Sequence, residues 1–219
     1  MKRWSLLAIL ASLFIPPHAI AQDGLAVGLR ASTLGSGLEL TLPMSQHFNL
    51  RGQGNGFAYS HTLNEANLSY DADLRLLTVG GILDFHPFAG SFRLSAGAFY
   101  NGNELELKAK PAGNSFNING RTFTLSQAGS VTGEVTFNDV SPYVGIGWGN
   151  PVRKGSKWGF QFELGALYQG VPNVTLTASG AVASLASNIA AEQAALQNAL
   201  NDPLFRWYPV ISLAISYRV

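Results

Sequence analysis

Cysteine is absent from the 219 residues, and charged side chains make up only 12% of them. The missing cysteine excludes a disulfide framework, a thiolate metal site and a cysteine nucleophile. Lys and Arg number 14 against 13 Asp and Glu. The chain therefore lacks the basic footprint of a nucleic-acid binder. Its charged fraction is about half of the ~25% usual in soluble domains. No apolar run reaches the ~18 residues that a membrane-spanning helix requires. Disorder is also excluded, because it goes with low hydrophobicity and 47% of this chain is hydrophobic. The length suits one domain or at most two small ones.

The longest apolar run, from Leu6 to Ile15, comes after the positive start Lys2-Arg3 and precedes Ala19-Ile20-Ala21. A charged start, a short apolar stretch and small residues before a cleavage point make an export signal. Residues 1–21 are read as that signal, cleaved after Ala21, and residues 22–219 as the exported domain.

Beyond Gln22 the chain has a period of two. Trp207, Ile211, Leu213, Ile215 and Tyr217 alternate with Tyr208, Ser212, Ala214, Ser216 and Arg218. Trp158, Phe160, Phe162, Leu164 and Tyr168 alternate with Gly159, Gln161, Glu163, Gly165 and Gln169. Successive strand side chains point to opposite faces, so each segment has one apolar and one polar or small face. Eight strands are predicted, at about 23–33, 36–44, 47–59, 68–85, 91–109, 131–149, 157–170 and 204–219. The alternation changes parity at Leu76/Leu77 and near Gly102, which predicts a β-bulge at each.

Aromatic residues decide which face is which. In an up-and-down meander Phe48, Phe85, Phe92, Trp148, Trp158 and Tyr217 fall at one end of the strands, and Tyr70, Tyr100, Tyr168 and Trp207 at the other. Ten tilted residues between the two girdles rise ~25 Å, the height of the apolar band on a transmembrane barrel. Tyr59 lies off this pattern. A soluble lipocalin-type barrel is the alternative, but it needs charge on the second parity, where this chain places mainly Gly, Ser and Gln. The expected fold is all-β: an eight-stranded, antiparallel, up-and-down transmembrane β-barrel.

Short turns at Pro43–Gln46, His86–Gly90 and Asn150–Gly155 mark the periplasmic end, and the outer end carries four loops, a tight one at 33–35 and longer ones at 60–67, 110–130 and 171–203. Asn119-Gly120 signals a two-residue hairpin, so the third loop continues as ribbon, and ten strands result if that ribbon reaches the membrane. Val182, Leu185, Ile189, Leu196 and Leu200 recur near helical spacing, which predicts a short helix over 181–201 in the last outer loop. That helix either packs on its own hairpin or covers the mouth as a lid.

The inward parity is expected to carry Arg30, Glu39, Arg51, Arg75, Arg93 and Glu163, with Asp71 and Asp73 toward the outer end. Charges of both signs in a narrow tube either pair into a plug or form a constriction that selects small solutes. Ser60, His61, Glu65, Asp71 and Asp73 are the one candidate hydrolytic constellation, for a lipid-modifying enzyme. Metal-ligand and phosphate-loop motifs are missing, so no cofactor is expected.

The segment Ser141-Pro142-Tyr143-Val144-Gly145-Ile146-Gly147-Trp148 and the closing Ile215-Ser216-Tyr217-Arg218-Val219 resemble motifs of the small OmpA/OmpX and OmpW-like outer-membrane barrels. The resemblance implies a Gram-negative outer membrane and contact with its lipid and lipopolysaccharide. It also implies delivery by the barrel assembly machinery through the C-terminal strand, where Val219 stands in place of the usual Phe. The leading expectation is a narrow channel or uptake barrel for small solutes. The alternatives are a non-conducting structural or surface-contact barrel and, third, the hydrolase.

Overall fold

A computed structural model describes residues 24–65, 68–111, 115–118, 121–124, 129–180 and 186–219. The proposed signal at 1–21, the Asn119-Gly120 turn, and Val182 and Leu185 lie outside them. Strands β1 (Ala26–Ser32), β2 (Gly35–Pro43), β3 (Phe48–Glu65), β4 (Leu68–Phe85) and β5 (Phe92–Asn101) pair in sequence. They continue through β6 (Glu104–Pro111), β7 (Ser115–Ile118), β8 (Arg121–Thr124), β9 (Val131–Thr136) and β10 (Val140–Trp148). Then come β11 (Trp158–Tyr168), β12 (Asn173–Ala178), helix α1 (Ala186–Ala199) and β13 (Trp207–Arg218). Antiparallel pairing runs β1–β2–β3–β4–β5–β10–β11–β13, and β13 returns to β1, from Ala26↔Arg218 to Ser32↔Ser212. The sheet thus closes on itself in a ring through eight strands, which leaves those strands no free edge.

Burial within the ring is inverted relative to a soluble domain. Val27, Leu29, Leu38, Leu83, Phe160 and Leu213 are exposed, while Arg30, Glu39, Arg51, Arg93 and Glu163 are buried. Apolar side chains face out and charged ones face in, the opposite of the lipocalin arrangement. At the end holding Ala26 and Arg218, Phe48 stacks on Phe85 at 5.0 Å, Phe92 meets Trp148 at 5.5 Å, and Trp158 meets Tyr217 at 5.1 Å. At the other end Tyr168 packs on Trp207 at 5.0 Å.

Five strands continue past that second end. The upper parts of β3 and β4 join β6, β9 and β12 in the order β3–β4–β6–β9–β12, a wall on one side of the ring. Its strands add about eight residues, or ~26 Å at ~3.3 Å each. Across the ring, β1 turns tightly into β2 at Gly35, whose φ of +103° suits glycine. The ribbon foreseen in the third loop is the hairpin β7–β8, with Phe116 opposite Phe123.

The two expected β-bulges are corrected. β3 and β4 stay in one register from Phe48↔Phe85 to Glu65↔Leu68, with no extra residue at Leu76/Leu77. Near Gly102 the partner of β4 changes from β5 to β6, but Thr78↔Asn101 and Arg75↔Glu104 keep the same register. What changes along these strands is polarity. On the outward face Leu83, Val79 and Leu77 give way to Arg75, Asp73 and Asp71, and Leu94 and Tyr100 to Glu104, Glu106 and Lys108. On the inward face the buried charges give way to Phe57, Tyr59, Leu63, Tyr70, Leu74, Leu76, Leu105 and Leu107. Tyr59, off parity in the sequence, belongs to this apolar inner face. Tyr70 joins it there and not a girdle.

Candidate functional site

The ring interior is filled in layers. Its charged layer holds three guanidinium groups, Arg30, Arg51 and Arg93, and three carboxylates, Glu39, Asp84 and Glu163, all at most 4% exposed. Arg30 donates to Glu163 at 2.9 Å and to Glu39 at 3.2 Å. Arg51 makes two 3.0 Å bonds to Asp84 and a further one to Glu163. Arg93 reaches Glu163 at 2.7 Å and Gln161 at 3.0 Å. Glu163 is the hub, since the Tyr143 hydroxyl also donates to it at 2.7 Å. Ser212 and Ser95 serve Arg30 and Asp84. Equal numbers of opposite charges satisfy the need for pairing in a low-dielectric interior.

Beside the charges lies an apolar layer of Leu34, Ile82, Phe99, Tyr143, Leu167 and Val210, each at most 2% exposed. Leu34 comes from the tight β1–β2 turn and folds inward across the mouth. Phe99 and Tyr143 meet edge to face at 5.6 Å. A Cβ at Gly145 or Gly165 would collide with the Tyr143 phenol, so this glycine pair, in register across β10 and β11, makes room for the ring. At the terminal end Asn49 contacts His86 at 3.1 Å and Asn150 at 3.2 Å.

Five of the eight interior candidates, Arg30, Glu39, Arg51, Arg93 and Glu163, therefore lie together inside the ring. The other three are corrected: Asp71, Asp73 and Arg75 stand on the outward face of the wall. Asp71 pairs with Lys110 at 2.8 Å and accepts from Thr62 at 2.8 Å. The Lys110 bond, then the Thr62 bond, hold its carboxyl below the usual carboxylate range. Ser60 donates to Asp73. Because His61 neighbours Ser60 in one strand, their side chains project to opposite faces. His61 stacks near Tyr59 at 6.1 Å, on the face opposite Ser60 and Asp73. Sequence reasoning missed Asp84 and Tyr143. The signal for Asp84 was its place between Leu83 and Phe85, both on the outward parity.

The predicted helix is present as α1, but its described hydrogen bonds go to a sheet edge. Gln193 and Gln197, one turn apart, accept from the backbone N–H groups of Leu176 and Val174 in β12. Gln197 also donates to the Pro172 carbonyl at 2.7 Å. The helix thus caps the last strand of the wall.

No protein family matches the sequence, nor does any curated protein. Two crystal structures share the fold. Acinetobacter baumannii CarO2 aligns with a TM-score of 0.58 and 23% identity, and A. baumannii CarO with 0.56 and 24%. Each alignment covers 90% of this chain and 98% of the other.

Proposed function

We propose that this chain is an integral outer-membrane β-barrel, closed to solute flow in the described conformation, that works at the cell surface through its wall. The observation that carries the reading is the double inversion of polarity. Within the ring the outward face is apolar between aromatic girdles, as lipid requires, and above it the outward face becomes charged, as water requires. The fold shared with the CarO structures supports a barrel of this kind. The start of β1, the end of β13 and the short turns lie on the periplasmic side and the wall on the outer side. Residues 1–21 serve export, the C-terminal strand addresses the barrel assembly machinery, and lipopolysaccharide surrounds the outer rim.

Closure stems from the filled interior, in which neither the charged nor the apolar layer leaves its side chains open to solvent. A narrow channel is the second reading, favoured by interior polar atoms such as Arg30 Nε and both amide atoms of Gln53 that have no hydrogen-bond partner among the described residues. Such groups suit ordered water, and a file of water is the beginning of a path. Planar-bilayer recording of the refolded protein, with heat-modifiable migration to verify the barrel, separates the two. Silence supports the closed barrel, and discrete steps that change in Arg93→Ala establish the channel.

A further inference from the structure

Closure of the ring protects its own strands, but the wall above it ends in two edges, and one of them is bare. On the β12 side, Gln193 and Gln197 of α1 occupy the backbone N–H groups of Leu176 and Val174. On the other side β2 starts level with Gly56, at Ser36↔Gly56, while β3 runs on to Glu65. The line that a longer β2 would follow is vacant beside residues 57–65 among the described residues. Backbone alternation says which groups stand there. Leu77 directs its N–H to Asn103 and its C=O to Gly102, away from β3, so its partner Gly56 turns its own pair toward β2. The unbroken register repeats this at every second residue, so Ala58, Ser60 and Thr62 present N–H and C=O groups to the vacant side. Residues 57–63 are all exposed. Lys and Pro, which usually guard an open edge, are absent from 57–65. The bare backbone calls for another strand.

The neighbouring side chains define that strand. On the inner face Phe57, Tyr59 and Leu63 are 48%, 54% and 52% exposed, and apolar residues at every second position of an added strand would cover them. On the outward face Ser60, Asp73, Glu106 and Glu134 form one row across four strands. Asp73 has Ser60 as its hydrogen-bond partner and no ion pair among the described residues. A basic residue opposite Ser60 would end this acidic row with the charge it lacks. A second copy in the same membrane does not supply an antiparallel partner, because its β3 also runs outward.

We propose that this edge of the wall takes an extended segment of another polypeptide as an added strand, with apolar residues at alternate positions and a basic residue opposite Ser60. The inference rests on the outer-membrane reading above, which puts the wall outside the cell. The test uses the refolded full chain in phosphatidylcholine nanodiscs. The probe is a short fluorescent peptide of alternating valine and threonine with one central lysine, followed by anisotropy. Wild type should bind it, and hydrogen exchange should slow at the Ala58, Ser60 and Thr62 amides but not at Val174 and Leu176. The same peptide N-methylated along its backbone should not bind. A central glutamate in place of lysine should weaken binding, and Asp73→Asn should narrow that difference. Ala58→Pro removes one edge N–H and leaves the side facing β4 alone, so it should weaken binding by about fivefold, the worth of one net hydrogen bond.

Equal binding of the N-methylated peptide overturns the proposal, and so does binding without slower exchange at those three edge amides. Slower exchange at Val174 and Leu176 instead would give the peptide to the opposite edge and overturn it as well. Heat-modifiable migration of the same samples keeps the two claims apart. A folded, inserted barrel that leaves the peptide free defeats this inference alone, whereas failure of wild type to insert defeats the membrane reading and this inference with it.

Discussion

Replacing Glu163 by Gln removes one of three carboxylates that hold three buried guanidinium groups. Glu163 accepts from Arg30 at 2.9 Å, from Arg93 and the Tyr143 hydroxyl at 2.7 Å each, and from Arg51. In Glu163→Gln, Glu39 and Asp84 must balance all three arginines, and the new amide turns a donor toward guanidinium groups, which only donate. Breaking a buried charge pair on one side costs about 3–5 kcal/mol, because the opposite charge stays desolvated. With a urea slope of about 2 kcal/mol per M, the unfolding midpoint should fall by roughly 2 M. The assay is tryptophan fluorescence of protein refolded in vesicles, with gel migration reporting the folded fraction. Adding Arg93→Gln restores neutrality, and the double variant should recover at least about 1 kcal/mol of the loss as coupling between contacting residues. A midpoint that moves by less than about 0.5 M in Glu163→Gln would refute the argument that the interior is held by charge balance.

Three further outcomes concern the wall. Asp73, Glu106 and Glu134 lie directly opposite one another on adjacent strands. Like charges so placed repel, so Glu106→Thr should stabilise the wall by about 0.2–1 kcal/mol in denaturant titrations. Gln193→Ala with Gln197→Ala should speed hydrogen exchange at the Val174 and Leu176 amides by roughly fivefold for each net bond lost, and unchanged protection would mean that the helix does not cap the edge. Asp71, whose carboxyl is held low by Lys110 and Thr62, contributes stability that is present at neutral pH. That contribution is lost as pH falls below the ordinary carboxylate range near ~4. Lys110→Gln should move the Asp71 titration upward by NMR, and an unmoved titration would remove the pair's role.

Strand order and the facing of the ring were legible from alternation alone, because outward and interior residues differ so sharply in character. The girdle residues Phe48, Phe85, Phe92, Trp148, Trp158 and Tyr217 meet as their positions in a meander require. The wall was not legible. A one-residue bulge and a change of surroundings along an unbroken strand leave the same trace at Leu76/Leu77. Reading a bulge there kept Asp71, Asp73 and Arg75 inside the tube. Strand β12 was passed over within a long loop, although Val174, Leu176 and Ala178 alternate with Thr175 and Thr177. Its partner β9 lies about 40 residues earlier in the chain, paired from Asn173↔Thr136 onward, and no local pattern points to it. Likewise the hub role of Glu163 depends on five strands converging, which spacing along one strand does not reveal.

The central claim is that one unbroken strand passes from lipid to water between Leu77 and Arg75 with its faces exchanging character. Because the chain has no cysteine, single cysteines can be introduced along β4 and labelled with a nitroxide without background. Oxygen and a water-soluble nickel complex then report lipid and water at each position in reconstituted vesicles. Labels at Leu83, Val79 and Leu77 should favour oxygen, the label at Thr78 should be shielded from both, and labels at Arg75, Asp73 and Asp71 should favour nickel. Nickel access along the whole outward face, including Leu83 and Val79, would contradict the account and leave a water-soluble sheet in its place.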